Sequence, residues 1–145
     1  MVKVHLIGHG NWGAVIDNAI NDLKYIEWVD SKDADWIILS TPNDLHYEQV
    51  SYWLGKGKNV FCEKPLTLTY KSTKELFDFA DTMGVKLYVD DVFTWRDDYD
   101  IYSDVNHFVW TKPNQKDINY IDRLAYHHFY MWVLDTDFEI RDITG

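Results

Sequence analysis

The run "VKVHLI", Val2–Ile7, passes without a break into "GHGNWG", residues 8–13, and a helix-spaced apolar set follows at once. Few folds accommodate that order. A β-branched, apolar run with one internal Lys and one His reads as a strand buried in a parallel sheet. Ala14, Val15, Ile16, Ala19, Ile20 and Leu23 then recur at the period of an amphipathic helix, which predicts a helix over residues 12–23. The G-x-G-x-x-G pattern between them has a physical reading. Gly8 permits a tight turn, Gly10 lets the backbone approach a pyrophosphate, Gly13 allows close packing of helix on strand, and the helix N-terminus attracts phosphates. Asn11 and Trp12 occupy the open positions of the motif, Trp12 as a large wall beside the site. A glycine turn that merely joins strand to helix is the plainer alternative, so the rest of the chain has to decide.

The alternation continues. Residues 35–42, "DWIILSTP", read as a second buried strand stopped by proline, and "NDLHYEQVSYWLGKG" as a helix opened by Asn43 or Asp44 and closed at Gly55 or Gly57. "NVFCE" is a third strand. The helix "TYKSTKELFDFADTMG" should turn Leu76, Phe77, Phe79, Ala80 and Met83 inward and stop at Gly84, and "VKLYVDD" should form a further strand. Strands alternating with helices predict an α/β fold, a Rossmann-like parallel sheet with helices on both faces.

The segment "YIEWV" leaves two readings open. As the second strand it would put Asp30 about 20 residues after the glycines, where an acid binds the adenosine ribose hydroxyls. Only about six residues would then separate it from "WIILS", whereas a parallel crossover needs a dozen or more. The other reading makes it a short edge strand, with "DSKDAD" a single turn that Asp30 caps.

From residues 94–104 the composition turns acidic and tyrosine-rich and the alternation stops, which sets a boundary between a cofactor-binding domain over 1–95 and a rudimentary α+β segment over 96–145. "VNHFVWTK" and "FEIRDIT" read there as strands and "YIDRLAYHHFYMWVL" as a helix. Such a piece is too small to fold alone and should pack on the first part or on another subunit.

Composition narrows the function classes. With 14 basic against 24 acidic residues and a formal charge of -10, the 145-residue chain is unsuited to general binding of nucleic acid or anionic membrane. Its single cysteine, Cys62, forbids an internal disulfide framework, and the chain reads as cytoplasmic and free of a membrane span. Cys62 itself should be buried and inert. Asp90, Asp91, His127 and His128 show no metal-ligand spacing, so no metal is expected.

Taken in order, "GHGNWG", "STPNDLH", "GKNVFCEKPLTLT" and "KLYVDDVFTWR" resemble the glucose-fructose oxidoreductase, inositol dehydrogenase and rhizopine-catabolism (Gfo/Idh/MocA) family over about the first 95 residues. The resemblance implies an NAD(P)-dependent oxidoreductase acting on a sugar, polyol or nucleotide-sugar hydroxyl. By it, Thr41, Pro42, Asn43 and His46 border the cofactor, Glu63 matches the family's glutamate, and Lys64 lies beside the nicotinamide and the reacting carbon. A residue at the carboxyl end of a parallel strand is also where open α/β sheets place ligands, and a half-buried lysine can hold a reacting hydroxyl. The plainer reading of Glu63 and Lys64 is a solvated charge pair at a strand end. For His46 it is a capping or surface residue.

The second half departs from the family pattern. There a helix carries an aspartate and a histidine four residues apart; in "IDRLAYHHF" His127 matches the histidine, but Arg123 stands four before it and Asp122 five. Positions five apart do not share a helical face, and His128 lies six from Asp122. Two histidines packed in an aromatic helix are the alternative to a catalytic His127. An inactive dinucleotide-binding or structural remnant is accordingly the competing function. If Asp30 binds ribose it favours NAD, whereas Lys32 nearby would admit NADP. The aromatic surplus, 7 Trp and 10 Tyr, suits a sheet face paired with its own copy, hence a homodimer or higher homo-oligomer.

Overall fold

The computed structural model describes residues 1–91. They contain, in order, β1 (Val2–Ile7), α1 (Asn11–Asn21), β2 (Ile26–Trp28), β3 (Trp36–Leu39), α2 (Asn43–Gly55), β4 (Asn59–Glu63), α3 (Tyr70–Met83) and β5 (Leu87–Asp90). All five strands run parallel in the order β2-β1-β3-β4-β5. The expected Rossmann-like sheet is therefore present, and the helices divide between its faces.

Side chains of successive strand residues point to opposite faces, and the two apolar clusters follow that alternation. On one face Val4, Leu6 and Ile38 meet Ile16 and Ile20 of α1. On the other, Ile37, Leu39, Val60 and Cys62 meet Val50 and Leu54 of α2 and Leu76 and Ala80 of α3. Cys62 is fully buried, as its place in "NVFCE" led one to expect. Phe77 and Met83 correct the expected inward face of α3: they are 40% and 38% exposed. The stripe that α3 buries is the narrower one set by Leu76 and Ala80, four residues apart, with Phe79 partly buried at its edge. At its ends α3 follows its sequence signals closely. The Thr69 side chain accepts from Ser72 N–H, and Gly84 closes the helix in the left-handed region at φ 65°.

The segment in question, Ile26–Trp28, is an edge strand beside β1, and its register explains how so short a link reaches β3. Val4 stands opposite Trp28, the last residue of β2, and also opposite Trp36, the first residue of β3. The chain leaves β2 at the level where β3 begins. It has only to step across β1, not to return the length of a strand, so no crossover helix is needed. Asp33 N–H closes a turn onto Asp30 O at 2.9 Å, and Asp35 N–H donates to Lys3 O at 2.8 Å. His5 Nδ1 lies 2.9 Å from the Val29 carbonyl oxygen, which fixes the strand exit from the other side. Among the described residues no helix is long and apolar enough to cross a membrane. The boundary expected at residue 95 and everything after it lie outside the described residues.

Candidate functional site

In the order 2-1-3-4-5 the chain leaves β1 toward one face, through α1, and β3 toward the other, through α2. A crevice opens at the carboxyl ends between such strands, and it is where open α/β sheets bind ligands. The glycine loop forms one wall. Gly8 has φ +102°, and a Cβ there would stand 2.1 Å from Ser40 O, so the close approach of the β1 and β3 ends requires glycine. A Cβ on Gly13 would stand 2.0 Å from Gly8 O, which is how α1 comes to lie against its own loop. Gly10 is different: nothing lies within 4 Å of its Cβ position. It is the N-cap of α1 and offers no side-chain hydrogen bond to the first turn. Two glycines thus hold the loop tight while the third leaves open space before an uncapped helix N-terminus. That cradle has the form the diphosphate of a dinucleotide requires.

The opposite wall is the end of β4. Glu63 is its last residue and stands opposite Asp90, the last residue of β5, so two carboxyl groups share one edge of the sheet. Trp12, in the first turn of α1, donates its indole Nε1–H to Glu63 Oε1. The glycine loop and the Glu63-Lys64-Pro65 motif, 51 residues apart in sequence, are thereby in contact. Burial, then the hydrogen bond and the charge of Asp90, push the Glu63 carboxyl up to about 8, against the lowering effect of Trp12 and of the Lys64 backbone N–H. Burial likewise raises the Cys62 thiol far above its ordinary value, the Glu63 charge adding to it, so Cys62 is no nucleophile. Lys64 is half-buried beside this pair, and its peptide bond to Pro65 is cis.

Between the two walls lies the turn after β3. Thr41 donates its hydroxyl to Gln49 Oε1 at 2.6 Å, Pro42 is the N-cap of α2, and Asn43 opens that helix. His46, one helical turn further on, is fully buried. Its Nδ1 lies 2.8 Å from Pro65 O and its Nε2 2.9 Å from Thr41 O. Each ring nitrogen thus faces a carbonyl, and the imidazole clasps the Thr41 turn to the segment that carries Lys64. It is neither a surface residue nor a helix cap. Asp30 is exposed at the carboxyl end of β2, where its own carbonyl accepts the turn hydrogen bond.

Of the residues singled out from sequence, Gly8, Gly10, Gly13, Trp12 and Glu63 are brought into one region, with Thr41 tied to Pro65 through His46. Asp122, Arg123, His127 and His128 lie outside the described residues. Asp90 was missed as a partner of Glu63. The available signal was that "NVFCE" and "KLYVD" both end on an acid, which parallel neighbours in register place side by side. No group of three or more metal-ligating side chains occurs among the described residues.

Comparison with known proteins agrees with this geometry. An uncharacterised oxidoreductase of Schizosaccharomyces pombe is 42% identical over 66 residues, which are 46% of this chain and 18% of that protein. The scyllo-inositol 2-dehydrogenase (NADP(+)) of Bacillus subtilis is 37% identical over 70 residues, 48% of this chain and 21% of its own length. The chain thus matches about a fifth of each of these curated relatives. Among solved structures, biliverdin reductase of Synechocystis, determined with biliverdin and NADP+, superposes with a TM-score of 0.58 at 21% identity, covering 63% of this chain and 38% of that one. GenD2 of gentamicin A biosynthesis, determined with NAD, gives a TM-score of 0.60 at 18% identity over 65% of this chain and 35% of that one. At such identities the likeness concerns the fold. A family model described as "Oxidoreductase family, NAD-binding Rossmann fold" matches residues 14–91, more than half of the chain, and with the glycine cradle and the Glu63-Lys64-Pro65 edge it shows that the chain belongs to the Gfo/Idh/MocA family.

Proposed function

We propose that the chain is, or is part of, an NAD(P)-dependent oxidoreductase acting on a hydroxyl of a sugar, polyol or nucleotide sugar. The observation that carries this reading is the meeting of the glycine loop with the Glu63-Lys64-Pro65 edge through Trp12 and Glu63. Gly8, Gly10, Asn11 and Gly13 would hold the diphosphate at the N-terminus of α1, with Trp12 as a wall beside the cofactor. Asp30 would bind the adenosine ribose and so favour NAD over NADP; Thr41, Pro42, Asn43 and Glu63 would border the remainder, with His46 holding the turn in place.

A bound nicotinamide supplies the hydride acceptor or donor. The chain's own residues do the rest. Lys64 holds the reacting hydroxyl by hydrogen bonding and accepts or relays its proton, and His127 assists from the C-terminal segment. That segment, residues 96–145 in this reading, contributes to the substrate side or to the interface of a homo-oligomer. The similarity of the matched region to a scyllo-inositol dehydrogenase supports a polyol-type substrate.

The test is titration with NADH and NADPH followed by turnover of a sugar and polyol panel. Lys64→Ala should abolish turnover while leaving cofactor affinity within about tenfold, the pattern of a residue acting on the reacting group. Unchanged turnover would remove Lys64 from the mechanism. Saturable binding without turnover of any substrate by the unmodified chain would favour the dinucleotide-binding remnant, and no binding of either nucleotide would sink the enzyme reading and leave the structural remnant.

A further inference from the structure

We propose that Trp12 and Glu63 form a latch across the cofactor crevice, which a dinucleotide must open as it enters, so that Trp12 sets the affinity for the cofactor. The proposal rests on the reading above and adds an affinity-setting residue to it.

The placement of the two side chains carries the inference. Trp12 stands in the first turn of α1, directly after the open space at Gly10. Glu63 ends β4, two strands away, because β3 lies between β1 and β4. Neighbouring strands are about 4.8 Å apart, so β1 and β4 stand roughly 10 Å apart with β3 between them, and the Trp12 and Glu63 side chains together bridge from α1 to the end of β4. That end, at Ser40 and Thr41, is the floor of the crevice between the β1 and β3 exits. A dinucleotide with its diphosphate on the cradle and its far end toward Lys64 has to pass under or through the Trp12–Glu63 contact.

The contact is of a kind that can exchange. Trp12 is 46% exposed, so the indole is not locked into either apolar cluster, and Glu63 is half-buried. The indole has a single donor and no acceptor, whereas Glu63 also accepts from the Lys64 backbone N–H and, when protonated, donates to Asp90. Loss of the indole bond therefore leaves Glu63 still held from two sides, and the hydroxyl groups of a ribose can take the vacated place on Oε1. In the closed form the competent state is only a fraction of the population, which weakens apparent affinity by that fraction.

Two variants and one spectroscopic signal test this on the full chain. The Trp12 indole N–H is identified as the one of seven indole resonances missing from Trp12→Phe. It should exchange slowly with solvent in the unliganded chain and at least about tenfold faster in Glu63→Ala, or when NADH is present at saturation. Trp12→Phe, which keeps an aromatic ring but no donor, should bind NADH roughly three- to tenfold more tightly. A Trp12 signal indifferent to Glu63→Ala would show that no latch exists. Unchanged or weaker NADH binding by Trp12→Phe, or a Trp12 signal still protected at saturating NADH, would show that the contact does not gate the cofactor. Failure of the functional reading looks different: Glu63→Ala frees the indole, yet neither the unmodified chain nor Trp12→Phe binds NADH, and the latch is then overturned as a cofactor gate.

Discussion

The two faces of the sheet are built to different standards. On the face that α1 covers, only Val4, Leu6 and Ile38 are buried among the residues of the apolar cluster. On the opposite face two helices cover the sheet, and Ile37, Leu39, Val50, Leu54, Val60 and Cys62 are each at 0% exposure. The difference separates packing from the candidate site. The well-filled face holds β3 and β4 from behind, while the lighter face carries the N-terminus of α1 and, by strand alternation from Phe61, the Glu63 side chain that Trp12 meets.

Paired truncations on the two faces test that contrast most strongly. Leu54→Ala removes a fully buried side chain from the larger cluster and should cost about 3 kcal/mol, read as a lowered denaturation midpoint. Ile20→Ala, at a partly buried position of α1, should cost about half as much, because solvent already reaches it and the site can relax. Equal losses at the two positions would mean that the sheet behaves as one evenly packed body.

His46→Ala comes next, with an expected loss of about 2 kcal/mol from an emptied buried site and from the carbonyl, of Thr41 or Pro65, that loses the ring N–H as its donor. A neutral imidazole can donate to only one of those carbonyls at a time, so His46→Asn, with one amide donor group, should recover part of the loss. If His46→Ala is as stable as the unmodified chain, the ring does not tie the turn to the Lys64 segment.

Much of this was legible in the sequence, and the failures have identifiable causes. β1, β4, α3 and its caps announce themselves through local signals: β-branched runs, Thr69 before the helix and Gly84 after it. The glycine motif could be read residue by residue because each glycine answers a steric demand. What local pattern could not supply was register. The short link after β2 left two readings open because a residue count carries no register; Val4 facing both Trp28 and Trp36 removes the difficulty. Register also made Asp90 the neighbour of Glu63, and three-dimensional packing made His46 a clasp where helix position suggested a surface residue. Phe77 and Met83 show the limit of periodicity, since apolar residues at the rim of a helical stripe remain exposed when the covered face is narrow.

The smallest expected effect concerns the carboxyl edge of the sheet, where Glu63 stands beside Asp90. With Glu63 raised from its ordinary value to about 8 in the folded chain, the folded state holds a proton that the unfolded chain has released between about pH 4.5 and 8. More protons bound in the folded state means that stability falls as pH rises through that window, and no further once the carboxyl is ionised in both states. Glu63→Gln removes the titration. Its amide oxygen can still accept from Trp12, and its NH2 can donate to Asp90, as the protonated acid does. The variant should therefore match the unmodified chain near pH 5 and be more stable near pH 9 by on the order of 1 kcal/mol, the full shift being discounted because solvent reaches half-buried Glu63. Ile20 lies about two helical turns beyond Trp12 on α1, so the Ile20→Ala penalty should be the same in either background. A stability difference that does not change between pH 5 and pH 9 would mean that Glu63 is ionised throughout, and the edge would then hold two charges side by side, with Trp12 and the Lys64 backbone N–H as their compensation.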